Sequence, residues 1–280
     1  MHNLQRRFIN RFIARVYKLT KSDAFRLWLI NLSTKLFVDS KNKIEYDTTN
    51  NIFWLKNGNE YLLSVENPNF DFDKTRFDEM ARDFFCQHYI PKSGDIVLDI
   101  GAGIGDQSVF FYKKIMKQGK LYNVEASPAC FKKLDLLTNK NAYKNCFNRN
   151  IAISGRNGKI WMEEQDNYRI SKINDQSKGV EICSYTLDNF IKENGISNIN
   201  FLKVNIEGAE YEMIDGMQES IGIIENLAIS CHDFLSNGKD EKIKNKIVKF
   251  LTKNNFEIYY RETGDKVLDS WIYGKKKQNN

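Results

Sequence analysis

The chain has 280 residues, of which 41% are apolar and 28% charged. That is a globular balance, and it excludes a disordered or collagen-like chain. The formal net charge is +6, and residues 1–50 hold ten basic side chains against four acids, so the remainder is balanced. No stretch reaches the ~18 uncharged apolar residues of a membrane-spanning helix. A basic nucleic-acid groove across the main domain is not implied.

Residues 4–19 read as an amphipathic helix. Leu4, Phe8, Ile9, Phe12, Ile13, Val16 and Tyr17 recur at three- and four-residue steps, with Arg7, Arg11, Arg15 and Lys18 opposite. Such a helix can lie on anionic lipid as a peripheral membrane contact. Its apolar face can equally dock on the domain or on a second subunit of a homodimer. Phe25, Trp28, Leu29, Leu32 and Leu36 predict a second helix over 23–38. Ile52–Leu55 and Tyr61–Val65 flank Asn57-Gly58, a hairpin signal. Residues 74–89 return to helical spacing, closed by Pro91 and Gly94. The expected division is an N-terminal appendage of helices and hairpin over 1–70 and a main domain over 71–280.

From Asp95 short strands and helices alternate, as in an α/β fold with an open, mostly parallel sheet. The strands are expected at 96–100, 120–125, 145–153, 201–206 and 226–231, with helices at 106–117, 128–139, 187–193, 209–217 and 242–253. Residues 158–185 form an excursion with strand candidates at 159–162 and 180–185. Phe256–Tyr260 and Val267–Tyr273 should close the seven-stranded sheet as an antiparallel hairpin. Cys86, Cys130, Cys146, Cys183 and Cys231 are odd in number and lack a paired spacing. They read as buried free thiols of a reducing cytoplasm rather than as disulfides or a zinc cluster. Arg6, Arg7, Arg11 and Arg15 interrupt any secretory leader.

The chemical signal is Val97-Leu-Asp-Ile-Gly101-Ala-Gly103-Ile-Gly105-Asp-Gln107. Glycines at a strand-to-helix turn let the backbone approach a ligand. The spacing is Asp-x-Gly-x-Gly-x-Gly, not the Gly-x-Gly-x-x-Gly of a dinucleotide loop. Asp99 suits a cationic amino group and repels a pyrophosphate. Glu125, ending the second strand, can accept both hydroxyls of a ribose. Glu125 fits a dinucleotide equally well, but the spacing, Asp99 and the terminal strand hairpin favour S-adenosyl-L-methionine.

The chain resembles the FkbM family of S-adenosylmethionine-dependent methyltransferases. The likeness rests on Gly94–Gly105, Asn123-Val-Glu-Ala-Ser-Pro128, Ser184-Tyr-Thr-Leu-Asp-Asn-Phe190 and Leu202-Lys-Val-Asn-Ile-Glu-Gly-Ala-Glu-Tyr211. It covers about residues 75–235. It implies a Rossmann-like class I methyltransferase, usually acting on oxygen, with hydroxyls of sugars, glycans or secondary metabolites as acceptors. Asn205 stands where the family usually has Asp. An amide is neither a base nor a charged metal ligand, so no metal is expected there.

The cofactor is expected on Asp99, Gly101, Ala102, Gly103, Gly105, Asp106, Gln107, Glu125, Ala126, Asn150, Ile151, Ala152 and Asn205, with Asp106 and Gln107 also capping the first helix. The catalytic candidates are His232, Glu207 and Asn205. His232 follows the fifth strand at the edge where α/β sheets bind ligands, with an ordinary pKa of ~6.5 suited to a base. Glu207 and Glu210 also suit the positive end of a helix, and His88 reads as structural. Trp161, Tyr168 and Tyr185 are the expected acceptor wall. The alternative function is a non-catalytic binding module of the same fold that assists glycan assembly. A nucleic-acid substrate is not expected.

Overall fold

The computed structural model describes residues 15, 22–65, 74–163, 172–174, 179–233 and 242–278. Apart from Arg15, the expected helix at 4–19 lies outside the described residues, as does Tyr168. The chain divides into two compact units, one reaching to Glu79 and including Asn139–Asn141, the other holding Met80–Thr138 and the chain from Ala142 onward.

In the first unit, helix α1 (Asp23–Phe37) starts at Ser22, whose Oγ accepts the Phe25 N–H at 3.3 Å. A three-stranded antiparallel sheet follows in the order β1 (Asn42–Asp47), β2 (Ile52–Asn57) and β3 (Glu60–Val65), with the expected hairpin at Asn57-Gly58. The rotation of α1 differs from the sequence pattern. Phe25, Trp28, Leu32 and Leu36 are exposed, while Ile30, Ser33 and Thr34 are buried and Ile30 packs with Ile44 and Leu55. The Asn31 amide supplies the reason. Its Oδ1 accepts the Ile44 N–H at 2.7 Å and its Nδ2 donates to the Ile44 carbonyl at 2.9 Å. These bonds satisfy the edge of β1 and turn the helix about its axis, and an edge N–H left unmade in a buried place would cost about 1–3 kcal/mol.

The second unit contains α2 (Lys74–Phe84) from Met80 onward, β4 (Ile96–Ile100), α3 (Asp106–Ile115), β5 (Lys120–Val124), α4 (Pro128–Lys140) as far as Thr138, and β6 (Cys146–Arg149). After an excursion come α5 (Leu187–Glu193), β11 (Phe201–Val204), α6 (Glu210–Met213), β12 (Asn226–Ser230), α7 (Ile243–Lys253), β13 (Phe256–Tyr260) and β14 (Trp271–Lys276). The seven-stranded sheet has the order β6-β5-β4-β11-β12-β14-β13, and β14 is antiparallel to both neighbours. Val97, Leu98, Ile100, Leu202, Val204, Ala228 and Ile229 are buried on both faces of its centre. Near-continuous apolar strands of this kind are what a helix-covered parallel sheet requires.

Some boundaries shift for local reasons. The helix expected over 74–89 ends at Phe84, and the one over 209–217 is a single α-turn followed by a 3-10 turn at Ile214–Gly216. The final strand begins at Trp271, after a 3-10 turn at Leu268–Ser270. The strand expected over 145–153 breaks in two. Asn150 Nδ2 donates to the carbonyls of Glu125 and Ala126 at 2.8 and 2.9 Å, which turns the chain off the main sheet. β7 (Ala152–Ile153) then joins a second sheet in the order β7-β10-β8-β9, with β8 (Gly158–Glu163), β9 (Lys172–Asn174) and β10 (Val180–Tyr185). The five cysteines are free thiols. Burial pushes Cys86 and Cys146 up to about 12, whereas Cys183 is exposed.

Candidate active site

Between β4 and β11 the strand order reverses direction, the switch point at whose carboxyl edge open α/β sheets bind ligands. A cavity of about 1250 Å³ lies at this edge. The glycine loop follows β4. Gly101 and Ala102 N–H groups both donate to the Val124 carbonyl, at 2.9 and 3.1 Å. Gly101 has φ +77°, and a Cβ there would sit 2.0 Å from the Asn205 carbonyl oxygen. The loops after β4 and β11 therefore touch through their backbones, and a side chain has no room between them.

Asp99 does not line the cavity, contrary to expectation. It is fully buried and holds Lys203 Nζ at 2.8 Å, and the same ammonium donates to the Gly101 carbonyl at 2.8 Å. A buried lysine needs a counter-charge, so Asp99 acts beneath the loop and not on a ligand's amino group. Lys203 is a shaping residue that the sequence reading passed over, although a lysine within an apolar strand was the visible signal.

Glu125 Oε2 accepts the Gly103 N–H and Oε1 accepts the Ser127 N–H, both at 2.8 Å. Burial raises its pKa against these bonds. Each carboxylate oxygen keeps a second lone pair for a ligand hydroxyl. Gly101, Gly103, Asp106, Gln107, Glu125, Ala126, Ile151, Ala152, Asn205, Glu207 and His232 all line the cavity. Ala102 and Gly105 are buried within the loop, and Asn150 is taken up by the turn after β6. The expected cap at Asp106 and Gln107 is instead Gly105, in left-handed conformation with φ +91° and without a side-chain cap.

His232 lies just past β12. Its Nδ1 is 2.8 Å from Glu210 Oε1, and its Nε2 is 3.6 Å from Glu207 Oε2 and 3.5 Å from Ser230 Oγ. Glu210 is fully buried and also accepts the N–H groups of Ile206 and Gly208, at 2.9 and 2.7 Å. It is thus the partner of His232 as well as a helix-end acid, a role that appears only in three dimensions. Burial opposes charge on His232, but the hydrogen bond to Glu210 and the charges of Glu210 and Glu207 outweigh it, so its pKa is raised. Glu207 has φ +52°, a left-handed backbone uncommon for a residue with a side chain.

The expected acceptor wall is corrected. Strand pleating points alternate residues to opposite faces. Ile160 and Met162 of β8 line the cavity and Trp161 between them does not, while Tyr185 packs against the main core. The aromatic lining comes from Phe84, Phe85 and Trp271. His88 stacks on Tyr259 at 4.1 Å and lies off the cavity.

A central glycine turn, an acid ending the next strand and an antiparallel β14 inserted beside β12 define the Rossmann-like class I methyltransferase fold. Residues 99–258 match the Methyltransferase FkbM domain, and the chain belongs to that family of S-adenosylmethionine-dependent methyltransferases. No curated protein sequence matches the chain. Among solved structures it is similar to the methyltransferase FkbM of Methylobacillus flagellatus, at 18% identity and a TM-score of 0.47 over 66% of this chain and 44% of that one. The chain thus matches less than half the length of that protein. Aeropyrum pernix fibrillarin with bound S-adenosyl-L-methionine matches at 14% identity and a TM-score of 0.40, over 72% and 74% of the two chains. A Bacillus cereus O-methyltransferase with S-adenosylhomocysteine matches at 9% and 0.44, over 75% and 84%.

The residues of the β4–β6 half fit that cofactor. Gly103 lines the cavity with nothing within 4 Å of where a Cβ would stand, and Glu125 offers lone pairs to a diol. Ala152, Ile160 and Met162 form one apolar cluster with Ala126 beside it, a wall suited to an adenine. Asp106, Glu125, Glu207 and Glu212 outnumber Arg156 and Lys266 in the lining, with Asp215 paired to Lys246 at 2.9 Å, a balance that favours a sulfonium. Glu125→Gln should raise the cofactor Kd about 10- to 100-fold, since a hydrogen bond to a charged group contributes about 1.5–3 kcal/mol. Calorimetric titration checks this, with a thermal melt of the cofactor-free protein as control for folding.

Proposed function

We propose that the protein transfers a methyl group from S-adenosylmethionine to a hydroxyl oxygen of a sugar, glycan or related polyhydroxylated acceptor. The observation that carries this reading is one cavity lined both by the loops after β4–β6 and by residues at the ends of β12 and β14, with His232 among them. At about 1250 Å³ it exceeds the ~300–1,000 Å³ of an ordinary single-ligand pocket. One side, over β4–β6, suits the cofactor. The other, over β12 and β14, has an aromatic floor of Phe85 and Trp271, edge to face at 5.1 Å, with Ser230, Ser270 and His232 beside it. Apolar faces with hydroxyl and imidazole groups alongside match a sugar ring, which has a C–H face and a hydroxyl rim.

The bound cofactor supplies an electrophilic methyl on a sulfonium, a good leaving group. The protein's part is to align the acceptor hydroxyl and remove its proton. Glu210 fixes the proton of His232 on Nδ1 and leaves Nε2 to take one from the acceptor. Asn205, at the backbone contact between the two loops, offers an amide that hydrogen-bonds on either side. The carboxylates around His232 support a catalytic reading over a non-catalytic binding module, because such an ion network has no evident use in a passive fold.

A labelled-methyl screen over mono- and oligosaccharides tests the acceptor class, and the absence of any methylated sugar overturns it. On an active acceptor, His232→Ala should lower turnover about 10²–10⁴-fold with cofactor affinity kept. Unchanged turnover would remove His232 from the mechanism.

A further inference from the structure

Among the described residues of the first unit, α1 carries an exposed apolar stripe. Phe25, Trp28, Leu32 and Leu36 follow one another at three- and four-residue steps and are 45%, 56%, 39% and 65% exposed. The Phe25 and Trp28 rings stack at 5.6 Å. The opposite face is already used, with Ile30 packed on Ile44 and Leu55. A helix apolar on two sides normally has a partner on both.

The charge that precedes this stripe in the sequence selects the partner. Residues 1–21 hold Arg6, Arg7, Arg11, Arg15, Lys18 and Lys21 and no acid, which is the whole of the +6 excess. This run ends two residues before α1 begins, and Lys35 sits in the last turn of the helix. A second copy docked through the same face would add another such run and bring no counter-charge in it for the first. An anionic surface instead neutralises them. Aromatic and leucine side chains on one face beside arginines and lysines are the composition of helices that lie in a lipid headgroup layer.

We propose that α1 is a lipid-contacting helix that seats Phe25, Trp28, Leu32 and Leu36 in an anionic membrane surface, with the basic N-terminal segment engaging the headgroups. Among the described residues no helix is long and apolar enough to cross a membrane, so the contact is peripheral. It does not depend on the acceptor proposed above.

Co-sedimentation of the full chain with two kinds of vesicle tests the proposal: phosphatidylcholine alone, and phosphatidylcholine mixed with phosphatidylglycerol. The full chain should partition onto the anionic vesicles and release as salt rises. Trp28→Glu with Leu36→Glu should lower that partitioning about tenfold or more, with melting temperature and cofactor affinity unchanged. Trp28→Ser with Leu36→Ser serves as the milder pair and should lower it less. Equal partitioning of variant and wild type, or no binding of the wild type, overturns the proposal. A dimeric wild type made monomeric by the substitutions overturns it in favour of a second copy. A lower melting temperature in both pairs, without lipid binding, assigns the stripe to cover by the chain itself.

Discussion

Gly101→Ala should abolish cofactor binding and destabilise the fold, while Gly103→Ala, two residues away, should do neither to the same degree. At position 101 a Cβ would stand 2.0 Å from the Asn205 carbonyl oxygen and 2.9 Å from its carbon, both backbone atoms. They cannot rotate away as a side-chain tip would. Asn205 is itself tied to β4, its N–H donating to the Ile100 carbonyl at 3.0 Å. Relief therefore requires one loop to leave the other. The left-handed φ adds about 1–2 kcal/mol and the overlap about 1–3 kcal/mol, so a loss of roughly 2–5 kcal/mol is expected. The loop displacement should weaken the cofactor by more than about 100-fold, equivalent to about 3 kcal/mol. A Cβ at Gly103 meets nothing within 4 Å, so about 1–2 kcal/mol of backbone strain is the main effect there. Urea denaturation and calorimetric titration of both variants check the contrast. Wild-type affinity in Gly101→Ala would show that the two loops do not have to touch.

The second large effect is expected at Glu210. Glu210→Gln should lower turnover and move the acidic limb of the rate profile to lower pH. In the wild type, burial disfavours the imidazolium, but Glu210 and Glu207 outweigh it and hold the His232 pKa above its ordinary value. A base acts in its neutral form, so turnover should rise with pH along a limb lying above ~6.5. Removing the Glu210 charge leaves burial less opposed, and the limb moves down. Stability carries the matching sign. A folded-state pKa raised above the unfolded one contributes stability that is full below ~6.5 and lost as pH rises through the folded value. The wild type should therefore lose stability across that window and the variant should lose less. The substitution also sets an amide NH2 against N–H groups of Ile206 and Gly208 that now donate to Glu210. Breaking a buried charged pair costs about 3–5 kcal/mol. Initial rates and urea midpoints across a pH series measure both effects. A limb unmoved by Glu210→Gln would mean that another group sets it.

What the sequence made legible was local. The apolar strands at 96–100, 201–204 and 226–230 announce a covered parallel sheet, and the glycines after Asp99 announce a ligand turn. What it hid depended on partners far along the chain. The stripe on α1 has the period of a core-facing helix, yet the Asn31 bonds to Ile44 decide which side faces inward. Trp161 is a plausible sugar platform until the pleat of β8 turns it away and presents Ile160 and Met162. Asp99 reads as a ligand group until Lys203 is found beside it. The partnership of Glu210 and His232 joins the ends of two adjacent strands, and no spacing rule in one sequence encodes it.

The second sheet has a different consequence. The excursion that builds it departs at Ala152 and returns at Ser184, and these two residues are paired neighbours in parallel strands. Because its ends meet, the length and composition of residues 158–183 can change with little demand on the seven-stranded frame. Ile160 and Met162 nevertheless reach the cavity from it. The protein thus keeps the wall of its cavity on a separable module, where ligand fit can diversify while the glycine turn, Lys203 and the Glu210–His232 pair stay fixed.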